Sequence, residues 1–236
     1  MYLPENALRC IQLLKEAGYP CYAVGGCVRD ALLGLQPHDY DLCTAAHPDE
    51  IKRIFAAFPQ FHAGEKHGTI SIVFPPHEIY EITTFRTEGG YQDGRHPDWV
   101  EFVDKLEEDL ARRDFTVNAM AYAPDTGVVD PFGGQADLQS NILRAVGDPR
   151  LRFSEDALRI LRGVRFSVTY GLTPEAETAA AMTELAPLMD KLARERVFSE
   201  LTRFFTLASA ELILEMEPVL TQVIPELGPC VGFDQK

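Results

Sequence analysis

The chain has 236 residues, 46% hydrophobic and 25% charged, an ordinary globular balance with length enough for a substantial core. Its apolar runs are too short to span a bilayer, and MYLPENALRC, with neither a basic start nor an apolar stretch, is no signal peptide. A net charge of −14, from 22 Lys+Arg against 36 Asp+Glu, weighs against a uniformly basic nucleic-acid binder.

In chain order, residues 4–17 place Leu8, Ile11, Leu14 and Ala17 at helical spacing. Residues 22–24 read as a strand that stops at Gly25-Gly26, and a short helix follows over 28–33, ending at Gly34. Residues 39–43 alternate as a strand, and 48–58 form a helix with Pro48 at an early position. Residues 69–74 and 79–85 are rich in β-branched side chains, and Pro75-Pro76-His77-Glu78 between them predicts a hairpin. EGGYQDGRHP, residues 88–97, is a polar, glycine-rich loop. A helix over 106–122, a short strand at Val128-Val129 and a PFGGQ turn complete the first part. Beyond about Asp148 strand signals cease, and 150–168, 174–191, 196–207 and 211–227 read as helices. An α+β N-terminal part therefore leads into an all-helical one.

Two features carry chemistry. Glycines before a helix let backbone N–H groups approach an anion, and Arg29 in the first turn adds a charged donor. Next, Asp39 and Asp41 project from one face of the expected strand, with Tyr40 and Leu42 turned into the core. Neighbouring carboxylates repel, and a divalent cation removes the repulsion; Mg²⁺ takes carboxylates together with substrate phosphates. Glu81, in the apolar strand IYEITTF, is expected as a third, buried acid. Three strand-borne carboxylates beside a phosphate-binding turn predict metal-assisted nucleotidyl transfer. The alternative is that Asp39 and Asp41 cap a loop and Glu81 faces solvent.

Charge distribution says more than net charge. Residues 141–166 hold six arginines (Arg144, Arg150, Arg152, Arg159, Arg162 and Arg165) against Asp148, Glu155 and Asp156. Arginine's planar fork suits phosphates and base edges. The six histidines show no metal spacing, and the five scattered cysteines form no CxxC pair, which fits a reduced, cytoplasmic compartment.

GGCVRDALLG followed by DYDLCT, EEDLARRDFTVNAMAY, VDPFGGQADL and RFSEDALRILRGVRF occur in that order. They resemble the ordered motifs of the class II tRNA nucleotidyltransferase and bacterial poly(A) polymerase family, in the polymerase-β superfamily, over residues 22–166. The resemblance implies a polymerase-β-like nucleotidyltransferase head, a mixed sheet with helices, over 1–147. A helical neck that binds the nucleotide base follows over 148–208. Residues 209–236 are expected to start a helical body that is cut short, since family members are much longer.

By motif position the resemblance implies that Asp39 and Asp41 hold Mg²⁺, with Glu81 the third catalytic carboxylate. Gly26, Arg29 and Arg113 are similar to triphosphate and sugar contacts, and Asp156, Arg159, Arg162 and Arg165 to nucleotide-binding positions on one side of a neck helix. Asp114 and Asn118, one turn apart on the expected 106–122 helix, resemble ribose or loop-positioning groups. The implied activity is addition of CMP and AMP from CTP and ATP to the 3′ end of tRNA, with no membrane partner. A poly(A) polymerase, an A-adding or CC-adding enzyme, and a non-catalytic RNA-binding module are the alternatives.

The chemistry of Asp156 and Arg159 also suggests how a base could be chosen. Cytosine and adenine present a ring-nitrogen acceptor beside an amino donor; uracil and guanine present the reverse. An acceptor-only aspartate and a donor-only arginine, one turn apart, match the first pair. The alternative is an i,i+3 surface ion pair with no bearing on specificity.

Overall fold

A seven-stranded mixed sheet, in the order β3-β4-β5-β2-β1-β8-β9, organises the first of two units in the computed structural model, which describes residues 1–90 and 99–230. That unit comprises residues 1–89 and 99–138; the second runs from Gln139 through the described residues to Cys230. In order, the first unit contains α1 (Glu5–Glu16), β1 (Cys21–Val24), α2 (Gly26–Leu32), β2 (Leu42–Thr44) and α3 (Pro48–Ile54). There follow β3 (Gln60–Phe61), β4 (Thr69–Phe74), β5 (Glu78–Thr84), β6 (Arg86–Gly89), β7 (Trp99–Phe102) and α4 (Leu106–Ala111). The unit closes with β8 (Ala121–Ala123), β9 (Gly127–Val129) and α5 (Gly134–Gln139).

Periodicity accounts for most of these elements. Helix α1 buries Ala7, Cys10, Ile11 and Leu14, the stripe of an amphipathic helix. Strands β4 and β5 alternate: Ile70, Ile72 and Phe74 are buried on one, Tyr80, Ile82 and Thr84 on the other. The hairpin forms as expected, with Ser71 opposite Glu81 in antiparallel register.

Register brings three segments to one end of the sheet. β2 is parallel to β5, with Leu42 beside Ile82, and antiparallel to β1, with Ala23 beside Leu42. β1 is also antiparallel to β8, with Val24 beside Ala121. The chain therefore leaves β1 at Gly25 where it enters β2 after Asp41 and enters β8 after Met120.

The structure corrects several expected boundaries. β2 begins at Leu42, so Asp39 and Asp41 lie in the lead-in rather than inside a strand. Their burial still alternates, exposed at Asp39 and Asp41 and buried at Tyr40, so the expected facing survives. Glu81 is exposed, not buried, because it shares the outward face of β5 with Ile79. The expected 106–122 helix is broken: α4 ends at Ala111, Phe115 is extended, a 3-10 turn spans Thr116–Asn118, and β8 follows. Asp114 and Asn118 are thus not on a single helix. Glu88 and Gly89 belong to β6, which pairs with β7; residues 91–98 of the expected loop lie outside the described residues.

The second unit contains β10 (Ile142–Leu143), α6 (Pro149–Glu155), α7 (Leu158–Tyr170), β11 (Thr173–Pro174), α8 (Ala176–Leu185), α9 (Arg194–Phe205), α10 (Ala210–Glu215) and α11 (Glu217–Val223). It is helical as expected, except that β10 and β11 form a short parallel pair. The helix expected over 150–168 is two helices, because Asp156 is extended at φ −144 and ψ 104. Its carboxylate accepts from Leu158 N at 3.0 Å, so the aspartate starts a new helix instead of continuing the old one. The helix expected over 211–227 likewise breaks before Pro218, where α11 starts anew. No helix among the described residues is long and apolar enough to cross a membrane.

Candidate functional site

The first unit's candidate site lies at the end of the sheet where β1 exits and β2 enters. Gly25 turns the chain with φ 78, a conformation that side chains disfavour. A Cβ on Gly25 would sit 2.9 Å from Arg113 Nη1, so the guanidinium rests directly on the glycine turn. Gly25 N donates to Met120 O at 3.0 Å, tying the turn to the lead-in of β8.

On the neighbouring edge, Val24 N donates to Asp41 O at 3.0 Å, extending the β1–β2 ladder by one residue. The same one-residue extension of the β2–β5 register sets Asp41 beside Glu81. Asp39, Asp41 and Glu81 are all exposed, and their side chains make no hydrogen bond or ion pair among the described residues. The protein packed around Asp41, then the charges of Asp39 and Glu81, raise its pKa to about 6 against the opposing pull of Arg113. The Asp41 side chain still reaches water, and three like charges share one small surface. Beneath them, burial first and Asp41 second push the Cys27 thiol up to about 12, leaving it inert.

Could this surface take a metal? Among the described residues, no group of three His, Cys, Asp or Glu side chains is gathered tightly enough to hold one unaided. Mg²⁺ does not need that, since it keeps waters and takes one or two carboxylates with phosphate oxygens. Asp39 and Asp41, exposed, mutually repelling and without side-chain partners among the described residues, fit that donor set. Glu81 adds negative charge at the same place.

Arg29 and Arg113 are held from behind. Arg29 is buried; its Nε and Nη2 donate to Asp30 Oδ1 at 2.9 and 2.7 Å and its Nη1 to Asn118 Oδ1 at 2.5 Å. Asn118 Nδ2 in turn donates to Asp114 Oδ1 at 3.0 Å. Arg113 Nη2 donates to Asp109 Oδ2 at 3.1 Å, while its buried Nε has no hydrogen-bond partner among the described residues. Asp109 is fully buried and also accepts from Arg112 Nε at 3.0 Å and Nη2 at 2.9 Å. Burial alone would raise its pKa, but the Arg112 and Arg113 charges and hydrogen bonds win and hold it below the ordinary value. Sequence reasoning missed Asp109; its signal was the spacing of three and four residues to two arginines.

The VDPFGGQADL turn buttresses this arrangement. Thr116 Oγ1 donates to Asp137 Oδ2 at 2.7 Å, and a Cβ on Gly134 would lie 2.3 Å from Thr116 O. Only glycine allows the turn to press so closely on the segment that carries Asn118.

The second unit holds a separate group of charged residues. Arg159 Nη1 donates to Glu155 Oε2 at 2.6 Å and to Arg152 O at 2.9 Å. Asp156 is engaged by Arg196 of α9, whose Nη2 reaches Oδ2 at 2.8 Å and whose Nη1 reaches Oδ1 at 3.4 Å. Arg165 Nε donates to Glu200 Oε2 at 2.5 Å, and Arg162 and Arg165 lie over Phe166 at 5.1 and 4.4 Å from its ring centre. Asp156 stands at the junction before α7, while Arg159, Arg162 and Arg165 lie on it. Arg196 and Glu200, the α9 partners, went unseen because their contacts bridge 40 and 35 residues of sequence.

Comparison with known proteins agrees with this architecture. The family described as "Poly A polymerase head domain" matches residues 21–144, and "Probable RNA and SrmB- binding site of polymerase A" matches residues 171–227. The CCA-adding enzyme of Streptococcus gordonii is 48% identical over 196 residues, 83% of this chain and 48% of that protein. The CCA-adding enzyme of Limosilactobacillus fermentum is 50% identical over 82% of this chain and 48% of its own length. The chain thus spans about half the length of the curated relatives it matches. Among solved structures, the Bacillus stearothermophilus CCA-adding enzyme in complex with CTP superposes with a TM-score of 0.80 at 40% identity, over 92% of this chain and 52% of that one. The Thermotoga maritima CCA-adding enzyme complexed with tRNA gives 0.78 at 25% identity, over 94% and 52%.

Proposed function

Because this chain belongs to the poly(A) polymerase head-domain family, we propose that it is the nucleotidyl-transferring part of an enzyme that adds CMP and AMP to the 3′ end of tRNA in the cytoplasm. The observation that carries this reading is the trio of exposed carboxylates, Asp39, Asp41 and Glu81, beside a glycine turn covered by Arg113. Relatives named for CCA addition, one solved with CTP and one with tRNA, support the choice of substrates.

In the proposed reaction the RNA 3′-hydroxyl oxygen attacks the α-phosphorus of CTP or ATP. One phosphodiester bond forms, the bond to the β-phosphate breaks, pyrophosphate leaves and the hydroxyl proton goes to solvent. Asp39 and Asp41 would hold Mg²⁺, which would supply charge neutralisation for the transfer. The backbone at Gly25-Gly26 admits the triphosphate closely, Arg113 faces it, and Arg29 fixes the first turn of α2 through Asp30 and Asn118. Residues 148–208 act as a neck that reads the base through Asp156 and Arg159, supported by Arg162 and Arg165, and a helical body starts from residue 209.

The test is Mg²⁺-dependent incorporation of labelled CTP and ATP into tRNA lacking its 3′ end. Incorporation of both, in limited number, supports the reading; no incorporation with Mg²⁺, tRNA and both nucleotides present sinks it. The names of the two matching family models favour a poly(A) polymerase as second reading, and long tracts of A without C would select it.

A further inference from the structure

We infer that Arg196, on α9, is the positioning residue that sets base choice by fixing the Asp156 carboxylate, an inference that rests on the base-reading role proposed for Asp156. Asp156 sits at an extended break between two helices, where among the described residues α7 reaches its side chain through Leu158 N alone. Its orientation therefore has to come from its partners.

An ionised carboxylate offers about four lone-pair positions. Leu158 N takes one on Oδ1 at 3.0 Å. The Arg196 fork takes a second on Oδ1 at 3.4 Å and one on Oδ2 at 2.8 Å. Among the described residues one acceptor position remains, on Oδ2, and the side chain keeps 17% of its surface open. A single aimed acceptor suits the single exocyclic amino group on the pairing edge of cytosine or adenine. It meets the carbonyl oxygen of uracil or guanine with repulsion and nothing to donate.

Arginine suits this task better than lysine. The planar fork engages both oxygens and so fixes the carboxylate plane, while an ammonium would fix one oxygen and leave the group free to turn. The contact of Arg196 is with the Asp156 carboxylate, so the inferred role is exerted through the aspartate.

Equilibrium binding of CTP, ATP, UTP and GTP with Mg²⁺ by the 236-residue chain tests this, in wild type, Arg196→Lys and Arg196→Met. Wild type is expected to favour CTP and ATP. Arg196→Met is expected to lose about tenfold of that preference, the scale of one mis-set hydrogen bond, with triphosphate affinity largely kept. Arg196→Lys is expected to fall between the two. A purely structural ion pair would lower the melting temperature and leave the preference untouched, and that result overturns the inference. Should Arg196→Met not fold, Arg196→Lys decides, since an unchanged preference there is equally fatal. A wild type with no preference removes the base-reading role itself, which is a different failure from a preference that survives in both variants.

Discussion

The charged groups of the first unit's sheet end and those around α7 are treated in opposite ways. Asp39, Asp41 and Glu81 are exposed and side-chain-unpaired among the described residues, and burial with the charges of Asp39 and Glu81 raises the cost of ionising Asp41. Asp156, Arg159 and Arg165 are each tied to a named partner: Arg196, Glu155 and Glu200. In the proposed function, carboxylates that meet a cation gain from being left without protein partners, because the cation supplies the missing charge. Groups meant to recognise a neutral base edge gain from being braced, because recognition depends on direction. Asp109 shows the braced treatment within the first unit, under the arginine that faces the glycine turn.

The comparison can be broken most forcefully at Asp109. Replacing it by Asn strips a buried countercharge from Arg112 and Arg113 and is expected to cost about 3–5 kcal/mol of stability. The pKa of Asp109 is depressed in the folded state, so its contribution is present above the ordinary carboxylate value of 3.8 and is lost as pH falls through its folded-state value. Urea melts of wild type and Asp109→Asn should differ most near neutrality and converge in acid. A constant gap across that range contradicts the assignment.

Asp41 should behave in the reverse sense. Asp41→Asn is expected to lower nucleotide incorporation by about 10²–10³-fold, the scale of losing a main electrostatic group in such a reaction. Stability should move the other way. The folded-state pKa of Asp41 is raised to about 6, so the wild type loses stability as pH rises toward that value, and Asp41→Asn should be the more stable protein on the alkaline side. A variant less stable than wild type there would mean that Asp41 has a structural partner after all.

A smaller effect concerns the charge reversal that the bare sequence suggests for base choice, Asp156→Arg with Arg159→Asp. Read with the structure, it sets two guanidinium groups against each other at positions 156 and 196, and two carboxylates at positions 159 and 155, where wild type has ion pairs. The double variant should lose about 2–3 kcal/mol of stability before any change of base preference can be read. A melting temperature equal to wild type would show that these pairs contribute little.

How much of this was legible in the sequence depends on the range of the contacts involved. The glycine turn, the alternation at Asp39, Tyr40 and Asp41, and the β4–β5 hairpin are local patterns, and they were readable. Three things were not. The break at Asp156 escaped because FSEDALRI carries good helix formers, and only the side chain's bond to Leu158 N reveals the restart. The expected 106–122 helix is interrupted at Phe115, which is wholly buried with an extended backbone, and nothing in the local pattern of EEDLARRDFTVNAM signals that break. Glu81 was misjudged as buried because its neighbours are apolar, although alternation along β5 turns it outward.

The central claim is that Asp39 and Asp41 are left bare in order to hold a divalent cation with a nucleotide. The most direct measurement is the affinity for a non-hydrolysable CTP analogue as Mg²⁺ is titrated, in wild type and in Asp39→Asn and Asp41→Asn. Wild-type affinity should rise as Mg²⁺ is added, and both variants should lose that rise while keeping their fold. Undiminished Mg²⁺-dependent binding in either variant would contradict the account.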